Sequence, residues 1–221
     1  MKLAILFLDE LRGFYKSKVM IFLWVGLPIL AIIFRFIQEY STGQAIPFTV
    51  ISSLVVSSLA GTLAAVMLSV SIISEKNRHV YELFLIRPVK RSNIVLGKFL
   101  SVYACVAIAS VIAIFVGVAT DWITTGMLVT TVVNGMGQSL AIILSVIAVA
   151  CSVGILIGVF SPSVLVGVIL VIYGGNQLSI IPVIPSLLNT SYATAYTIAL
   201  ASVVTVAMLV VATKLFERKQ F

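Results

Sequence analysis

Hydrophobic positions along this chain gather into long runs, and the polar positions that interrupt them fall in a few short segments. At the start, Leu3, Phe7, Leu11 and Phe14 recur at spacings of three and four, which puts them on one stripe of a helix. Lys2, Asp9, Arg12 and Lys16 fall largely off that stripe. Residues 2–18 are therefore expected to form an interfacial helix, lying in the headgroup layer of a membrane and leading into a first span. Several later runs exceed the ~18 residues that mark a membrane-crossing helix. Spans are predicted over residues 19–37, 47–74, 99–120, 124–160, 164–180 and 193–215. The expected fold class is all-α: a polytopic membrane protein with six transmembrane helices, forming a single domain over residues 1–221.

Local punctuation refines these spans. Pro28 removes a backbone donor and is expected to kink the first. The second would be roughly 42 Å long against a hydrocarbon core of ~30 Å, so it tilts or protrudes. Residues 124–160 are too long for one straight crossing and too short for two with a loop, which predicts one long helix bent near Gly135 and Gly137. Phe160-Ser161-Pro162-Ser163 makes a tight turn into the fifth span, and Gly174-Gly175-Asn176 weakens the helix within it. Residues 181–192 carry Pro182, Pro185 and Asn189 but no charge, the mark of a re-entrant dip or short interfacial helices.

Composition removes a water-soluble alternative. Of the 221 residues 61% are hydrophobic and only 10% charged, where soluble chains carry roughly 25% charge; the mean hydropathy is +1.23. The net charge of +7 does not imply nucleic acid as a partner, because of where it sits. Of the 14 Lys and Arg, all but Arg35 lie in the N-terminal segment, in residues 75–98 or near the C-terminus. With six crossings those three segments share one side, and the positive-inside rule makes it the cytoplasm, with both termini there. Tyr40, Trp122, Tyr192 and Tyr196 then fall at the outer interface, and Tyr15, Trp24 and Phe216 near the inner one. The six apolar residues 3–8 are followed at once by Asp9 and Glu10 without a small-residue cleavage site, so no cleaved secretory signal is expected. Cys105 and Cys151 lie within apolar runs and read as small core residues.

Candidate chemistry is sparse. The single histidine, His79, lies in the polar segment, the seven carboxylates lie near span ends or outside the bilayer, and no His/Cys/Asp cluster has metal-ligand spacing. There is no phosphate-binding glycine loop in the sequence, and span serines such as Ser69, Ser71 and Ser145 have no partner histidine; they are expected to bond to backbone carbonyls or neighbouring helices. An enzyme is disfavoured. The middles of the spans lack a formal charge, which argues against a proton relay. Gly154 and Gly158 form a G-x-x-x-G step, read as packing within the chain.

Residues 75–98 are the informative stretch. Val80, Leu83 and Phe84 align on one helical face among charges, and Pro88 ends that helix, so a short amphipathic element projects from the end of the second span. The order Glu75-Lys76, Glu82-Leu83, Pro88, Ile94, Gly97-Lys98 resembles the signature of type-2 ATP-binding-cassette permeases, the ABC-2 exporter membrane subunits. The plan of interfacial helix, six spans and an uncharged stretch before the last span is similar as well, so the resemblance covers essentially the whole chain. It departs at His79-Val80, where relatives often place a glycine or small residue.

The resemblance implies that this segment is a cytoplasmic coupling helix between spans two and three, seated in a cleft of a separate ATPase subunit. The coupling residues would be Glu75, His79, Glu82, Leu83, Phe84 and Pro88. Among them, Glu82 would pair with a basic or polar group of the ATPase, Leu83 and Phe84 would anchor, and His79 reads as an exposed polar residue. Gly97 and Lys98 would begin span three at the membrane surface. The chain itself would need no cofactor, since ATP and Mg belong to the partner ATPase. A second copy of the permease would complete a homodimer in the cell membrane, among lipids and without nucleic acid. Uncharged spans suit a lipid, hydrophobic drug or amphipathic peptide as cargo. A stand-alone channel or secondary transporter is the alternative.

Overall fold

The computed structural model describes residues 2–15, 17–41, 48–78, 91–125, 130–187 and 193–218. Among these residues the secondary structure is helical throughout, without a strand. The long helices are α1 (Lys2–Tyr15), α2 (Lys18–Ser41), α3 (Phe48–Asn77), α4 (Arg91–Thr125) and α5 (Thr130–Phe160). A broken stretch follows: α6 (Val164–Leu170), a π-helical turn (Val171–Gly175), α7 (Asn176–Ser179), a 3-10 turn (Ile181–Val183) and α8 (Ile184–Leu187). Helix α9 (Ala193–Arg218) closes the fold.

Five described segments are long and apolar enough to cross a membrane: Val55–Asn77, Ser92–Thr120, Gly137–Phe160, Val164–Val183 and Thr194–Glu217. A bent pair, Leu6–Phe14 with Lys18–Leu30, meets at 68° and would bring the number to six if taken as one span. The outward faces are apolar. Phe22, Val25 and Ile29 on α2, Leu165 and Ile169 on α6, and Tyr196, Val203 and Val210 on α9 are all exposed. Such faces suit lipid contact, where apolar surface carries no penalty.

Helices α3 and α5 form the central pair, and their contact follows from small residues. Ala150, Gly154 and Gly158 recur every four residues along α5 and meet Gly61, Ala65 and Ser69 of α3. A Cβ on Gly154 would lie 2.6 Å from the Cα and carbonyl oxygen of Ala65, so only glycine lets the backbones come this close. Around this pair, α4 packs on α1 and α2, and α9 packs on α5. Leu23, Leu27, Leu68, Val102, Ile143 and Ile155 fill the main core.

Several boundaries differ from the hydropathy pattern. Helix α3 continues past Ser74 through Glu75 and Lys76 to Asn77, and α4 begins at Arg91, well before residue 99. Charged residues do not end a helix when its hydrogen bonds continue and the side chains find partners. At its far end α4 runs to Thr125, so residues 124 and 125 belong to it and not to the next helix. Helix α5 is one long helix, as expected, and runs through Gly135 and Gly137, since glycine lowers helix propensity but keeps its backbone donor. Helix α2 likewise continues through Pro28.

Other features match. The chain turns at Ser161-Pro162-Ser163, where the Ser163 hydroxyl caps α6 by accepting from the Val166 amide at 3.4 Å. The glycine pair falls in the π-helical turn. The described part of residues 181–192 consists of short helical turns.

Candidate functional site

The notable polar construction lies where α3 ends and α4 begins. Lys98 sits two turns into α4, only 1% exposed, and is the largest fully buried side chain among the described residues. Its Nζ is 2.8 Å from Glu10 Oε1 of α1 and 2.5 Å from Glu75 Oε1 of α3. It also donates to Ser71 Oγ at 3.3 Å, and the Ser71 hydroxyl in turn donates to Glu75 at 3.1 Å. The Phe14 ring centroid lies 6.0 Å from the ammonium. Three helices distant in sequence thus converge on one cation.

Each partner is placed by local helix geometry. Ser71 and Glu75 are four apart on α3 and so share a face. Glu75 stands in the last turn of α3, where the helix dipole disfavours a carboxylate, and Lys98 offsets that. Helix α1 meets α4 at Gly97 and Ser101. A Cβ built on Gly97 would be 3.7 Å from Leu6 Cβ and 3.9 Å from the Phe7 nitrogen. The Ser101 hydroxyl donates across the interface to the Phe7 carbonyl at 3.2 Å and, within α4, to the Gly97 carbonyl at 2.8 Å. Leu11 and Phe14 pack against the protein core, so part of the apolar stripe of α1 is covered by protein.

Burying a charge is tolerable only when it is paired and hydrogen-bonded, and here one ammonium serves two carboxylates, each about a quarter exposed (24% and 26%). Among the described residues no group of three His, Cys, Asp or Glu gathers as metal ligands would. The arrangement is structural electrostatics: it joins helices.

Of the residues singled out from sequence, Glu75, Gly97 and Lys98 are brought together here. Glu75 belongs to α3 and faces Lys98. Gly97 and Lys98 lie inside α4 and are buried, not at its start. His79, Glu82, Leu83, Phe84 and Pro88 lie outside the described residues, in the stretch 79–90 that joins Arg78 to α4.

Sequence reasoning missed Glu10, although a signal was present. Glu10 is three residues after Phe7 and four before Phe14, so it lies in the apolar stripe, where a carboxylate requires a cation. Ser71, expected to bond to a backbone carbonyl or a neighbouring helix, accepts from Lys98 of α4 and also donates to Glu75 on its own helix. The Ser69 and Ser161 hydroxyls are buried with no hydrogen-bond partner among the described residues. The Lys76 ammonium donates to the Ser161 carbonyl at 3.4 Å, linking the end of α3 to the turn before α6. Cys105 and Cys151 are buried and free, as core residues.

A second feature is a groove of about 680 Å3 between α4, α5 and α9. Phe99, Tyr103, Leu144, Ser145, Thr205 and Leu209 are among its walls. Phe99 and Tyr103 stack at 5.8 Å between ring centroids. The groove carries hydroxyls but no charged side chain.

No protein-family model matches the chain, and no curated protein matches it in sequence.

Proposed function

We propose that the chain is the membrane-spanning subunit of an ATP-binding-cassette exporter of the type-2 class. In this reading α2 supplies the remaining span, which makes six, and both termini and residues 75–98 face the cytoplasm of the cell membrane. Two copies work with two ATPase subunits, which hold the ATP and Mg. The cargo is a lipid, drug or amphipathic peptide. The observation that carries this is the sequence order Glu75-Lys76, Glu82-Leu83, Pro88, Ile94, Gly97-Lys98 in the one strongly polar segment of an otherwise apolar chain.

The geometry around that segment supports it. Residues 79–90 are rooted in the ends of α3 and α4, and a buried ion pair joins those two ends. At 35 residues α4 is roughly 52 Å long, longer than a ~30 Å hydrocarbon core, so its first turns stand clear of the bilayer interior. A push that reaches the ends of α3 and α4 would therefore meet two long helices joined by that ion pair. A stand-alone channel or secondary carrier would have no need of such a docking element.

Glu82→Ala is expected to leave membrane insertion intact while lowering co-purification of the ATPase and ATP hydrolysis by the complex by about tenfold, the loss typical of a charged interface contact. Pull-down and hydrolysis assays on the reconstituted complex read both. Unchanged values, or labelling of residues 79–90 from outside the cell, would rule the proposal out.

A further inference from the structure

We propose that Lys98 is a positioning residue that makes α1, the end of α3 and the start of α4 one rigid body, so that residues 79–90 move all three together. The motor in this statement rests on the permease reading; the rigid body rests on geometry alone. The Lys98–Glu75 pair bridges the two roots of the 79–90 stretch, and the Lys98–Glu10 pair adds α1 to them. Gly97 and Ser101 hold the same α1–α4 seam by close approach and a hydrogen bond. Beyond α1 the chain bends by 68° into α2.

The charge count separates the two joints. Two carboxylates share one ammonium, so losing Lys98 leaves Glu10 and Glu75 repelling each other across a buried corner. Losing Glu10 leaves the Lys98–Glu75 pair balanced and frees only α1. Losing Glu75 frees α3 and leaves α1 on α4. Arginine at position 98 can serve both carboxylates with its fork of donors.

Cysteine cross-linking tests this without any ATPase. Leu6→Cys with Gly97→Cys places two Cβ atoms about 3.7 Å apart, within the range for a disulfide. The full chain, with Cys105 and Cys151 changed to alanine, is oxidised in membrane vesicles and the cross-linked fraction followed by mass. Rapid closure is expected. Adding Glu10→Gln should slow it by about tenfold, in the range of single coupling residues, while Lys98→Arg stays within about twofold. Equal rates with and without Glu10→Gln would overturn the role of Lys98.

The second arm uses the same cysteine pair in the complex with the ATPase. ATP hydrolysis should be alike for the oxidised and reduced forms, because α1 and α4 do not part during the cycle. Hydrolysis that stops on oxidation overturns the rigid body. A chain that binds no ATPase removes the motor, while the cross-linking rates still decide whether Lys98 holds the joint.

Discussion

Helix α3 is held at its middle and at its end by opposite means. At the middle, Gly61, Ala65 and Ser69 meet the small residues of α5 backbone to backbone, and the contact is one of shape. At the end, Glu75 is held through Lys98, with Ser71 and Glu10 sharing the same cation, and the contact is one of charge. In hydrocarbon two apolar helices gain little from hiding apolar surface from lipid, so close van der Waals packing has to supply the adhesion. Near the helix end, where water and headgroups begin, ionic groups are affordable and can be made specific. A shape contact stays put whatever the surrounding charge; an ionic contact can be remade with another partner. The difference makes the middle of α3 a joint specified by shape and its end a joint specified by charge.

Substitutions can break this contrast. The largest effect is expected from Lys98→Met, which strands two carboxylates. Breaking a buried pair costs roughly 3–5 kcal/mol, and the partial exposure of both glutamates puts this one near the lower end. Thermal unfolding in detergent should show the loss, and Lys98→Arg should recover most of it.

Gly154→Ala attacks the other contact and should cost about 1–3 kcal/mol, because the new methyl meets Ala65 backbone atoms that have no rotamer to give. The same assay checks it, and its loss should combine additively with that of Lys98→Met, since the two act on different parts of α3, at Ala65 and at Glu75. Smallest is Ser101→Ala, at about 1 kcal/mol for the hydrogen bond to Phe7. It should loosen α1 alone, read as faster proteolysis within residues 2–15 while α3–α5 stays protected.

Much of the fold was legible because membrane helices announce themselves by length and hydropathy. Gly154 and Gly158 of α5, the serine–proline turn before α6 and the glycine pair in the π-helical turn each produced the feature expected of them. The errors lie at polar residues. Hydropathy ends a helix where charge begins, so by that pattern Glu75 falls in a loop and the third span starts only at Gly97-Lys98. Hydrogen bonding carries α3 through Glu75, and α4 already contains Lys98, because each side chain found its complement in the other. That complement spans 23 positions and a third helix, which no local spacing encodes. Glu10 was visible as a misplaced carboxylate on an apolar stripe, but its partner was not.

The π-helical turn at Val171–Gly175 has a geometric consequence of its own. It holds an extra residue relative to an α-helix, and one residue is worth roughly 100° of rotation about the axis. Everything downstream is re-phased by that amount. Ser179, one turn further on, is buried, while Tyr173 within the bulge is exposed. A straight helix of the same composition, one residue shorter here, would send a different set of side chains into the bundle, so the count of residues in this turn, as much as their identity, determines which of them are core.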